Sequence, residues 1–289
     1  MRPVSVWRSP RSGSAPGSTG KRLTIWPRYR SELSTISNLK EGTQMSIGKS
    51  LKRRIADREE LVALRVAVTM DRGSVEKALE SDKYAMLYVE GQHSPFTEDQ
   101  LTSFCEMAGE IDIPVKLRIP HTYHTYLIGR YFDFGPVAIM VPEIEQEAQV
   151  DEAIKYTYYL PEGRRSFGGP SRYGIASGKA PDGLHSYAAW WNEQAVLGIM
   201  LESVEAISNA RRFVKPGLDF IAFGTSDLGL SLATNPQFPI QDTDDCMRYV
   251  ADQVKDQVAL GMAIPTAPEE RDRYRDMGIT IFQETLVSR

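Results

Sequence analysis

Eight short apolar runs, each separated from the next by a polar or amphipathic stretch, constrain this chain more than any other feature. They span residues 62–68, 84–89, 115–119, 137–141, 195–201, 218–223, 259–264 and 279–282. Helical apolar spacing appears between them, over 98–110, 123–132, 145–158, 204–213, 243–258 and 268–277. Strands that alternate with helices build βαβ units and a parallel sheet. Eight repeats within residues 45–289 predict a single-domain α/β fold, the (β/α)8 TIM barrel. An open doubly wound sheet fits less well, because no Gly-x-Gly-x-x-Gly or Walker-type loop follows any of the runs. The basic stretch 46–56 is expected as a helix across the bottom of the barrel, and the Gly-, Arg- and Pro-rich stretch 161–189 as a loop on its functional face.

Composition narrows the function classes. With 42% hydrophobic and 25% charged residues, the chain is neither disordered nor collagen-like. No window approaches 18 uninterrupted apolar residues, so no membrane span is expected. The only cysteines, Cys105 and Cys246, cannot build a disulfide framework or a Cys-based zinc cage, which points to a reducing, cytoplasmic setting. A net charge of −4 disfavours nucleic acid as a partner. That average hides an asymmetry: residues 1–44 hold eight basic and two acidic residues, and residues 45–289 hold 26 and 36. The first segment has no sustained period, and its Ser, Gly and Pro content leaves too little apolar surface to offset ordering. It is expected to be a disordered basic extension, upstream of a start at Met45. A transit peptide for organelle import and a basic arm for acidic partners are the alternatives.

In a barrel of this type, the carboxyl ends of the strands carry function. His93 follows the second run in VEGQHSPF, Arg118 ends the third in VKLRIP, and Glu202 ends the fifth in GIMLES. Asp227 follows the sixth in FIAFGTSDLG, and Asp133 closes the helix after the third in YFDFG. Glu202 and Asp227 form a carboxylate pair without a Cys or His cage. Such a pair suits a hard or borderline divalent ion that keeps water and open positions, although each acid could instead cap the helix behind it. The small residues of GTSD leave the amides of Gly224, Thr225 and Ser226 open to a carboxylate. Arg118 offers a fixed fork for a carboxylate or enolate oxygen, or else a structural ion pair. His93 is a candidate general base with Asp133 to orient its ring. His121 and His124 lack a third ligand and read as surface or substrate-loop residues. His185 lies in the long loop, and Trp190 and Trp191 are expected to pack where the chain re-enters the barrel.

With these residues and the stretches VEGQHSPF, VKLRIP, YFDFGPVAIMVPEI, PEGRRSFGG, NEQAVLGIMLES and DFIAFGTSDLGLSL in order, the chain resembles the HpcH/HpaI class II aldolases, which include 2-keto-3-deoxy sugar acid aldolases and relatives of the citrate lyase β subunit. The resemblance runs from about Met45 to Leu286. It implies a carbon–carbon lyase that cleaves or forms a 4-hydroxy-2-oxo acid through a pyruvate-type enolate, with a 2-oxo acid and an aldehyde as its small-molecule partners. It also implies a divalent cation (Mg²⁺, Mn²⁺ or Co²⁺) on Glu202 and Asp227. Arg118 would neutralise charge on the oxygen, the 224–226 amides would hold the carboxylate, and His93 with Asp133 would move the proton. No Schiff-base lysine is implied, and none stands at a strand end. A homo-oligomer is expected, with an assembly that differs from the family's, whose members carry another helix on a neighbouring subunit where this sequence stops at Arg289. Three positions depart from the family pattern. Gln92 stands where an acid usually precedes the histidine, Glu90 replaces an Asp, and Met200 replaces a Gln two residues before Glu202. A Claisen-type reaction on a thioester and a keto-acid-binding barrel of weak activity are the alternative readings.

Overall fold

The computed structural model describes residues 49–286 apart from 82, 169–171 and 176. The expected basic extension at 1–44 lies outside the described residues. Strands β1 (Leu61–Val66), β2 (Met86–Glu90), β3 (Val115–Arg118), β4 (Ala138–Val141), β5 (Val196–Leu201), β6 (Phe220–Phe223), β7 (Ala259–Met262) and β8 (Ile279–Thr285) close a barrel in sequence order. Every neighbouring pair is parallel, including β1 with β8. This is the (β/α)8 architecture that the eight runs predict.

Alternation along each strand divides the core in two. One set of side chains, Ala63, Met86, Tyr88, Ala138, Met140, Met200 and Phe220 among them, fills the lumen. The other, including Leu64, Leu87, Leu117, Ile139 and Leu197, packs against the helices. Phe220 fills the lumen beside β5 because Gly198 carries no side chain, and a Cβ there would lie 2.0 Å from its ring.

The helices have clear local causes, from α2 (Arg72–Leu79), capped by Asp71 between β1 and β2, to those that position the site. Helix α3 (Glu98–Glu110) starts in a capping box, with the Gln100 amide donating to Thr97 Oγ1 at 3.2 Å and the Thr97 amide to Gln100 Oε1 at 2.9 Å. Helix α7 (Val204–Phe213) is capped by Ser203, whose Oγ accepts from the Ala206 amide at 3.2 Å. Helix α1 (Leu51–Ala56) reaches the amino ends of β5 and β6 through Lys52, as expected of a segment across the barrel bottom.

Two segments differ from expectation. The helical run 123–132 divides into a 3-10 turn (Thr122–Leu127) and α4 (Ile128–Asp133). The stretch 161–189 is not wholly a loop, since α6 (Leu184–Gln194) begins within it. The spacing of Tyr187 and Trp191, four apart and buried on one face, drives that helix. Nor does the stretch cover the carboxyl end of the barrel. It follows α5 (Glu147–Thr157), which returns the chain from β4 to the amino end, and the Arg165 amide donates to the Tyr158 carbonyl there.

Candidate active site

Glu90, Arg118 and Glu202 stand at or just past the carboxyl ends of β2, β3 and β5, and all three are buried. Burial pushes the Glu90 carboxyl up. Arg118, which bonds it twice (Nε to Oε1 at 2.7 Å, Nη2 to Oε2 at 2.6 Å), and the Tyr88 hydroxyl at 2.6 Å outweigh that, so the group lies below its ordinary range. The Gln92 amide adds a bond to Glu90 Oε1 at 2.8 Å. The fork of Arg118 is thus occupied by Glu90 and is not open for bidentate binding of a ligand. Only Nη1 remains, 3.6 Å from Met200 Sδ, a weak acceptor that a ligand oxygen would displace. Glu90 takes this role because it shares the strand-end layer with Arg118, as their register shows.

Glu202 is held differently. Its Oε1 accepts from the Glu143 amide at 2.6 Å, and its Oε2 lies beside Gly224, where a Cβ would come within 2.8 Å. Burial first, and then the charge of Asp227, raise its carboxyl to about 7, against the opposing pull of the Glu143 amide. Neither acid is a helix cap: Ser203 caps α7, and Gly224 precedes α8 (Thr225–Thr234), which carries Asp227 in its first turn. Among the described residues no three His, Cys, Asp or Glu side chains converge on one point. The donor set is two carboxylates, one buried and one exposed, beside a space that only glycine leaves open. That set fits a hard divalent ion completing its shell with water and substrate oxygens.

The amide cradle is smaller than expected. The Gly224 amide donates to the Leu201 carbonyl at 3.0 Å and is not free for a ligand. Thr225 and Ser226 open α8, where first-turn amides have no intrahelical acceptor.

His93 is exposed at the mouth after β2, its amide 3.3 Å from Glu90 Oε1. Asp133 does not join it. Helix α4 ends there on its way into β4, which puts the carboxylate at the amino end of the barrel, bonded by Arg165 Nη2 at 2.7 Å. Asp133 of the same chain is therefore not the group that orients His93, because a helix that returns to the next strand ends on the opposite face from the site.

Two residues escaped the sequence reading. Glu143, just past β4, accepts from Gln92 Nε2 at 2.9 Å and pairs with His121 Nε2 at 2.7 Å. The strand-end motif MVPEI held it in plain view. His121 thereby acquires a role, and its Nδ1 also accepts from the Tyr123 amide at 3.0 Å to start the 3-10 turn. His124 bonds the Tyr131 hydroxyl, and Trp191 is buried as expected. The second is Lys116, two residues before Arg118 on β3 and so on the same lumen-facing side. It lies inside β3, below the strand-end layer.

The profile of the HpcH/HpaI aldolase/citrate lyase family matches residues 78–281. The hydroxypyruvate/pyruvate aldolase of Delftia acidovorans is 27% identical over 68% of this chain and 71% of its own. That of Paraburkholderia phytofirmans is 25% identical over 77% and 86%. The crystal structure of an HpcH/HpaI aldolase from Desulfitobacterium hafniense superposes with a TM-score of 0.69 at 18% identity, covering 82% of this chain and 91% of that one.

Proposed function

Because the chain belongs to the HpcH/HpaI aldolase/citrate lyase family, we propose that it is a divalent-metal-dependent carbon–carbon lyase, acting on a 4-hydroxy-2-oxo acid through a pyruvate-type enolate. The observation that carries the proposal is the pair Glu202, whose Oε2 lies beside Gly224, and Asp227, three residues past that glycine in the first turn of α8, with Arg118 Nη1 free of any oxygen partner. The two carboxylates would hold Mg²⁺, Mn²⁺ or Co²⁺, which when bound supplies Lewis-acid polarisation of the 2-oxo acid's carbonyl.

The chain's own groups do the rest. The first-turn amides of Thr225 and Ser226 bind the 2-oxo acid's carboxylate, aided by the positive end of the α8 dipole. Arg118 Nη1 donates to the C2 oxygen as negative charge builds on it, and leaves Met200 Sδ to do so. Glu90 holds the guanidinium in one orientation through two bonds, so little reorganisation accompanies that charge. His93, free at the mouth, takes or returns the proton of the C4 hydroxyl.

The test is deuterium exchange into the methyl group of pyruvate, read by proton NMR with each metal, with EDTA, and with Asp227→Asn. Exchange that needs metal and disappears in the variant is the expected result. Exchange that persists under chelation, or none with any of the metals, overturns the assignment.

A further inference from the structure

Glu143 occupies the left-handed backbone region, with φ +54, a conformation that non-glycine residues adopt only when their surroundings hold them there. Three bonds do so. The backbone amide is fixed on Glu202, and the carboxylate is fixed by Gln92 and by His121. The twist turns the amide toward the buried Glu202 carboxylate and leaves the side chain at the mouth, about 40% exposed. No lysine or arginine among the described residues pairs with it. His121 leaves its charge in place, because an Nδ1 that accepts from the Tyr123 amide carries no proton, and the ring donates through Nε2 as a neutral group. Gln92 spends its amide nitrogen on Glu143, so its Oε1 faces away; that oxygen is buried and has no partner. The ring of Tyr123, 78% exposed, packs 4.6 Å from His121. This part of the mouth thus offers an anionic acceptor and an aromatic face, with no lysine or arginine paired to that anion among the described residues.

We propose that Glu143 is a specificity-determining residue that turns the site toward uncharged, hydroxylated aldehydes and against aldehydes bearing a carboxylate. The inference rests on the lyase reading for the identity of the electrophile. A hydroxyl can donate to the Glu143 carboxylate, whereas a carboxylate cannot and brings like charge beside a partly desolvated anion.

The experiment compares glycolaldehyde with glyoxylate, with pyruvate as donor at fixed Mg²⁺, in the unmodified chain and in Glu143→Gln. The variant keeps the backbone bond to Glu202 and the side-chain shape, and the ratio within each protein cancels any change in the enolising step. The ratio of kcat/KM for glyoxylate over glycolaldehyde is expected to rise about tenfold, the effect of one unit charge a few ångströms away at a protein surface. Ligand-observed NMR titration of the same two aldehydes reads the same ratio from binding alone. A change below twofold in either measurement overturns the proposal. If the unmodified chain exchanges no deuterium into pyruvate, the lyase reading falls, and the binding ratio then decides on Glu143 by itself.

Discussion

Lys52 and Glu202 sit at opposite ends of one barrel, and the two ends treat buried charge in opposite ways. At the amino end, Lys52 Nζ bonds Asp219 at 2.8 Å, the Tyr158 hydroxyl at 2.8 Å and the Ala195 carbonyl at 2.8 Å. Asp219 in turn accepts from the Leu197 amide and from Tyr158. Both charges have as many partners as their geometry allows, and the cluster ties α1 to the start of β5 and β6. At the carboxyl end, Glu202 has one backbone donor, faces another acid, and has no cation of its own. A saturated network rigidifies, while a half-satisfied one costs stability unless something else completes it. The first end is built for the fold. The second leaves donors and acceptors for a ligand.

The sharpest way to break that contrast is Glu202→Gln. Pyruvate exchange should fall at least about 10³-fold, equivalent to roughly 4 kcal/mol of activation free energy, with heat of metal binding lost in calorimetry. Stability should not follow. A carboxyl raised from 4.5 to about 7 destabilises the folded form fully above pH 7 and not at all below 4.5. The amide removes that cost, so chelated protein at pH 8 should melt no lower than the unmodified chain. A large drop in melting temperature would make Glu202 structural after all.

Lys52→Met probes the other end, with the opposite signature. It leaves Asp219 buried without its cation, at a cost of about 3 kcal/mol in urea unfolding at pH 7. Burial already raises the Asp219 carboxyl, with Lys52 opposing, and without the lysine it rises further. The loss should therefore grow as pH increases, because a raised carboxyl makes folding less favourable above its unfolded pKa. Exchange per folded molecule should stay within about twofold of the unmodified rate, since nothing at this end touches the mouth. An equal loss of activity and stability would mean that the two ends are coupled through the strands.

The same contrast explains which parts were legible in the sequence. Strand order, helix α3 and helix α7 were, because apolar period is a local signal that tertiary packing here reinforces. So were the strand-end positions of Arg118, Glu202 and Asp227, since a barrel puts strand ends on one face. Partners across strands were not legible. That Glu90 occupies the fork of Arg118 depends on the register of β2 against β3, and that Glu143 turns its amide to Glu202 depends on one left-handed residue. Asp133 misled for the same reason. Its motif fits the family, but sequence proximity to Arg118 conceals a helix that carries it to the far end of the barrel.

Lys116 lies between the two ends and tests whether the lumen follows the rule of either. Its side chain is buried, with Nζ 4.3 Å from the centroid of the Tyr88 ring and 5.9 Å from that of Phe220, and with no ion-pair or hydrogen-bond partner among the described residues. Burial, and then the charge of Arg118 one lumen layer above, lower its pKa to about 7, while Glu90 opposes. The folded chain then binds less proton than the unfolded chain between pH 7 and 10.5, so this lysine costs most below pH 7, and the cost fades as pH rises toward 10.5. Lys116→Met keeps the length and the apolar stem and removes the charge. It should stabilise the protein by about 2 kcal/mol at pH 6, with the gain shrinking through pH 8 and nearly gone at pH 10, as measured by urea unfolding at each pH. A gain of the same size at all three would place the benefit in packing against Tyr88 and Phe220. A loss at pH 6 would mean that the ring faces stabilise the cation more than burial penalises it, which would set the lumen with the saturated end of the barrel.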